Sequence, residues 1–132
     1  MGFGQFLPAD QSKGDERTVG GYAAVHARPA ALEGRDGMSY SLDLLSDATG
    51  DASRPYGAFL LFVQWSRVGA QKAEGHLETE FLTFGASAAE AEQRLRDMPL
   101  TEAQSRLDAL ILARDGATTR RWWDVMREED DA

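Results

Sequence analysis

Cysteine and asparagine are both missing from this chain of 132 residues, isoleucine occurs once, as Ile111, and lysine only as Lys13 and Lys72. The lack of cysteine removes disulfides, thiolate metal sites and cysteine nucleophiles together. No apolar run approaches a membrane span: the longest, Ala58 to Val63, falls far short of the roughly 20 residues a bilayer demands. The N-terminus has no basic region followed by an apolar core, so no secretory signal is expected and a cytoplasmic setting is the default. Positive charge is scarce as well. Fourteen basic residues stand against 22 acidic ones, for a net charge of -8. Gripping a polyphosphate takes a concentrated basic face, so a nucleic-acid partner is not expected. Arginine outnumbers lysine twelve to two, and with the missing asparagine this avoids AT-rich codons and points to a GC-rich bacterial genome.

The common catalytic signatures are also missing. There is no Gly-x-Ser-x-Gly elbow and no Ser-x-x-Lys pair. "GFG" at residues 2–4 neither follows a strand nor opens a helix, so it fails the test for a dinucleotide loop. Ser39, Ser41 and Asp43 alternate on one strand face, which is ordinary for the wet side of a sheet. No enzymatic activity and no cofactor are expected on this inventory.

What is present reads as strands followed by helices. Residues 1–17 show no sustained period and read as a flexible N-terminal arm, although Phe3, Phe6 and Leu7 are unusual in a purely solvating tail. "VGGYAAVHAR", Val19 to Arg28, reads as a first strand ending at Pro29, and "GRDG" has the chemistry of a reversal. "MSYSLDLL" alternates cleanly, with Met38, Tyr40, Leu42 and Leu44 on one face. In "AFLLFVQWSRV" both parities are apolar from Ala58 to Val63, which predicts a central strand covered on both sides. "HLETEFLTF" reads as a fourth strand.

The rest is helical in pattern. Ser87 stands three residues before Glu90, the arrangement that caps a helix start reciprocally, and Ala88, Ala91, Leu95 and Met98 form the stripe behind it. A second helix is predicted after Pro99, capped by Thr101 with Gln104, buried through Ala103, Leu107, Leu110 and Ile111, and ended by Gly116. A short third helix is expected near Thr119. The expected fold class is α+β: an antiparallel meander of about four strands, followed by two to three C-terminal helices packed on one face. The expected division is an arm over 1–17, an α+β domain over 18–116, and a Trp-containing helix with an acidic tail over 117–132.

One group resembles a metal site. On a strand, His76, Glu78 and Glu80 point to one side, and His26 could join them if its strand lay alongside. Residues two apart on a strand sit roughly 6.5–7 Å from each other, so one ion rarely gathers all three. The plainer expectation is a solvated polar face with Leu77 and Phe81 buried behind it.

The stretch "FLTFGASAAEAEQRL" resembles the strand-to-helix junction of HicB-type antitoxin domains over about fifteen residues. That resemblance implies a sheet-then-helix fold and, as an alternative function, an antitoxin-type binder of a basic toxin. The proline- and glycine-rich segment usual before this junction in that family is missing here.

The remaining signal lies at the C-terminus. Trp122 aligns with Val125 and Met126 at helical spacing, while Trp123 stands four residues before Arg127. Arg120, Arg121, Trp122 and Trp123 concentrate the residue types that most often dominate interface energy. With Phe3, Phe6 and Leu7 they form the candidate partner-binding set. The leading expectation is a non-enzymatic accessory protein docking onto a larger assembly, soluble or on the surface of a membrane complex, through these two termini. A small metal- or ligand-binding domain is the alternative from another class. The oligomeric state is not written in the sequence.

Overall fold

The computed structural model describes residues 8–65 and 73–131, with residues 73–74 and 117–131 described by their backbone course alone. The elements are α1 (Val19–His26), β1 (Ala31–Glu33), β2 (Ser39–Ala48), β3 (Tyr56–Trp65), β4 (Ala73–Glu78), β5 (Thr83–Gly85), α2 (Ala88–Arg96) and α3 (Leu100–Asp131). The sheet is an antiparallel meander in the order β1-β2-β3-β4, and β5 also pairs with β3. This is the α+β architecture that the order of sequence patterns predicts.

The first predicted strand is a helix. Thr18 is its N-cap, its hydroxyl accepting from the Gly21 amide at 3.0 Å, and Ala27 ends it in the left-handed conformation at φ 52°. The strand reading fails here because the Thr18 cap and the bond from Val19 N–H to the Met98 carbonyl, rather than an apolar period of the segment itself, set the helix, which buries only Val19 and Val25. The segment before α1 is tied down as well. Asp10 N–H donates to the Val25 carbonyl, the His26 ring and the Glu16 carboxylate lie 3.0 Å apart, and Leu100 N–H donates to the Arg17 carbonyl. Residues 10–17 are thus fastened to the domain rather than free in an arm, whereas Phe3, Phe6 and Leu7 lie outside the described residues.

The "GRDG" reversal is present, but its first arm is the three-residue β1. Gly37 adopts φ 81°, a backbone setting that glycine takes at no steric cost. The Asp36 carboxylate fixes the turn by accepting from Met38 N–H at 3.0 Å and from the Tyr40 hydroxyl at 2.6 Å.

The predicted fourth strand is two strands. Leu61 pairs with Glu78, whereas Ala58 pairs with Thr83, so two additional residues are accommodated between β4 and β5. The bulge is held by Thr79, whose hydroxyl accepts from Leu60 N–H and donates to the Glu80 carbonyl. A shift of two preserves the alternation of faces, so the continuous pattern "HLETEFLTF" conceals the interruption.

The predicted α2 cap is observed, with the Ser87 hydroxyl accepting from Glu90 N–H at 3.1 Å. In return the Glu90 carboxylate accepts from Ala86 N–H, one residue before the expected position. Helix α3 differs from expectation at both ends. It begins at Leu100, with the Pro99 carbonyl receiving the Glu102 and Ala103 amides, so Thr101 is not its cap. Gln104 instead donates to the Glu33 carbonyl, tying α3 to β1. Gly116 does not end the helix, and no separate helix begins near Thr119, because α3 runs unbroken for 32 residues. A glycine inside a helix costs only about 1 kcal/mol relative to alanine, which flanking helix formers override.

The core lies on one side of the sheet. Tyr40, Leu42, Ala58, Leu60 and Phe62 meet Ala91 and Leu95 of α2 and Ala103, Leu107 and Ile111 of α3. The alternation predicted for β2 is the one observed.

Candidate docking surface

β3 is central, as its apolar run predicts, but it is not covered on both faces. Residues 58, 60 and 62 are fully buried, while Phe59, Leu61, Val63 and Trp65 of the opposite parity are only half-buried. None of these four belongs to the core cluster or to the hydrophobic side chains packed against it. The reason is topological. The helices that contribute to the core all pack on the face carrying Tyr40 and Leu60, which leaves the other face open among the described residues.

Register fixes what flanks this stripe. Across from Leu61 and Val63 on β4 stand Glu78 and His76. On β2 the neighbours of Trp65, Val63, Leu61 and Phe59 are Ser39, Ser41, Asp43 and Leu45. Leu45 continues the apolar area and is 41% exposed. The Trp65 indole N–H donates to the Ser41 hydroxyl at 3.1 Å, which orients the ring along the sheet.

At the other end, the β4–β5 bulge turns Phe81 onto the open face. Phe81 lies over Gly57, where a Cβ would sit 2.5 Å from the ring carbons. Phe81 meets Phe59 edge-to-face with centroids 5.9 Å apart, and meets Phe84 at 6.1 Å. The Arg54 guanidinium stands 4.1 Å from the centre of the Phe84 ring. Phe81 is therefore not buried behind a polar face, as the sequence suggests. It tops a ridge of three aromatic rings.

Phe59 and Phe81 also wall a cleft of about 360 Å³ whose other lining includes Asp47, Glu78 and Glu80. Asp47 and Glu78 are exposed, and Glu80, with its side chain 79% exposed, lies 3.8 Å from Arg106 of α3. An open phenyl pair edged by carboxylates suits a cationic group: the ring faces carry negative charge density and the carboxylates supply full charges.

The structure separates the candidate metal residues. His26 lies on α1, its ring tilted 34° to that of Tyr22 with centroids 4.3 Å apart, and beside Glu16. His76 and Glu78 share the open face of β4, and Glu80 stands beyond it in the bulge. Among the described residues, no group of three or more metal-binding side chains converges on one point. Arg120, Arg121, Trp122 and Trp123 fall within the continuous α3, on the stretch described by its backbone. No described helix is long and apolar enough to cross a membrane.

The sequence reading missed the open face, although its signal was present. An apolar run of both parities marks a strand whose two faces both meet apolar surroundings, and the second of these can belong to another molecule. No family model, no curated protein and no solved structure matches the chain. The short HicB-like stretch coincides with the β5–α2 junction, where Ser87 capping accounts for its form.

Proposed function

We propose that this chain is a non-enzymatic accessory module that binds another protein within a larger assembly, soluble or seated on the surface of a membrane complex. The observation that carries this reading is the apolar stripe Phe59, Leu61, Val63, Trp65 and Leu45, displayed on the sheet face opposite the core. Contiguous apolar surface rimmed by polar residues is the usual mark of a protein–protein site, because leaving it in water forgoes about 25 cal/mol per Å². A central strand bearing aromatic anchors and flanked by charges matches the general anatomy of interfaces, an apolar centre within a polar rim. The aromatic arm residues Phe3, Phe6 and Leu7 and the Arg120–Trp123 segment of α3 are further contacts in this reading.

The test is recovery of the native complex from the source cell, read by mass spectrometry, with the wild-type chain and a Leu61→Asp/Val63→Asp variant as baits. Both positions are half-buried and outside the core, so the variant is expected to fold, which circular dichroism verifies. Loss of specific partners with the fold intact supports the reading, and unchanged co-purification removes it. A second bait, lacking residues 1–7 and carrying Trp122→Ala and Trp123→Ala, reports on the two termini separately.

A further inference from the structure

We infer that the open face receives a basic amphipathic segment of its partner, with an arginine or lysine head seated in the cleft between Phe59 and Phe81. This rests on the interaction-module reading above and gives the partner's chemistry. Three observations lead to it.

The first is charge. Among the described residues facing outward from β2, β3 and β4, the ionised ones are Asp43, Asp47 and Glu78, with His76 the one titratable base. These carboxylates stand on both sides of the apolar β3 stripe, so an occupant lying along β3 meets negative charge at both borders. A segment with apolar residues on its inner face and cations at its edges is complementary to that layout. A second copy of the same face is not, since it would set acidic borders against acidic borders.

The second is the aromatic ridge. Phe59 and Phe81 stand edge-to-face beside Asp47 and Glu78, a pairing of ring faces and carboxylates that a guanidinium satisfies with its plane and its N–H edge together. The chain itself shows that this ridge accepts such a group: Arg54 already lies over Phe84 at its far end. Phe81 reaches this place because Gly57 has no side chain, and because two additional residues in the β4–β5 bulge carry it out of line.

The third is the shape of the stripe. Trp65, Val63, Leu61 and Phe59 follow one another at every second position of a ten-residue strand, about 20 Å from first to last. That length matches about four turns of helix, so anchors continuing at i, i+3/i+4, i+7, i+11 and i+14 would meet it.

The experiment uses the full-length, isotopically labelled chain and three synthetic helical peptides built on the same leucine face. One carries arginines at its borders, one glutamines and one glutamates. A scrambled arginine peptide of identical composition controls for the overall charge of -8. Expected are saturable shifts at Phe59, Leu61, Val63 and Phe81 with the arginine peptide alone, weakened by added salt. An Asp47→Asn/Glu78→Gln variant, altering only exposed groups, should weaken that binding by about tenfold. Phe81→Ala should weaken it further and abolish contacts between the ring and the peptide's arginine.

Equal binding of the glutamine or glutamate peptides at the same residues would leave the face a docking site and overturn its preference for cations. Equal binding of the scrambled peptide, or shifts elsewhere, would reduce the effect to bulk charge and overturn the inference. If no peptide binds, the inference fails while the native-complex recovery still decides the broader reading. Concentration-dependent dimerisation that perturbs the stripe would overturn it in favour of a second copy.

Discussion

Phe81 lies directly over Gly57 on the open side of the sheet, and the two positions exclude one another's bulk. A Cβ on Gly57 would stand 2.5 Å from the Phe81 ring carbons nearest the backbone, which cannot move without displacing the whole ring. Gly57→Ala should therefore cost about 1–3 kcal/mol by overpacking, measured by urea unfolding. Combining it with Phe81→Ala should cost less than the sum of the two single changes, since the closest contacts, at 2.5 Å, go with the ring. Strict additivity of the two changes would show that the residues do not meet.

The two faces of β3 should respond differently to substitution. Leu60 is fully buried, so Leu60→Ala is expected to cost about 2–5 kcal/mol through lost burial and the cavity left behind. Leu61, adjacent but on the other side, should tolerate Leu61→Gln at under about 1 kcal/mol while losing partner binding. Equal destabilisation at both positions, by chemical denaturation, would mean that the second face is packed within the chain.

Acid should weaken the β1–β2 turn. Burial pushes the Asp36 carboxyl up, but the Tyr40 hydroxyl, the Met38 amide and the Arg114 guanidinium together outweigh this and hold it below the ordinary aspartate value of 3.8. A depressed carboxyl contributes stability that is present above the ordinary value and lost as pH falls through the depressed one. Asp36→Asn should thus cost about 1–3 kcal/mol at neutral pH and flatten the acid limb of the stability curve. Tyr40→Phe should move the Asp36 titration upward, followed by carbon NMR of that carboxyl. An unmoved titration would remove the tyrosine from the account.

Gly116 tests the continuity of α3. Inside a helix, glycine is about 1 kcal/mol worse than alanine, so Gly116→Ala should stabilise the chain by roughly that amount, seen as a higher melting temperature. A helix ending there in the left-handed conformation would instead be destabilised by the same change.

The Ser87 cap is expected to contribute about 1 kcal/mol, as its hydroxyl accepts the Glu90 amide at 3.1 Å. Ser87→Ala should lower stability by that amount, and Ser87→Asp should leave it nearly unchanged, both measured by thermal unfolding.

Local patterns determined much of this protein. The alternation through Met38, Tyr40, Leu42 and Leu44 fixed β2 and its buried face, the Ser87–Glu90 spacing fixed the start of α2, and strands before helices fixed the fold class. These are short-range effects, set by side-chain period and by backbone groups a few residues apart. Three matters needed the assembled molecule. Val19–His26 became a helix where Thr18 caps it and the segment around Pro99 holds it, a contact across some 80 residues of chain. The β4–β5 bulge stayed hidden because an even shift leaves the alternation of faces intact. Above all, the apolar residues of β3 alone could not say which of its two faces the helices would cover. Only the packing of α2 and α3 against Leu60 and Phe62 decided that Phe59, Leu61 and Val63 would face outward, because each face of a strand is buried by whatever the rest of the chain brings to it.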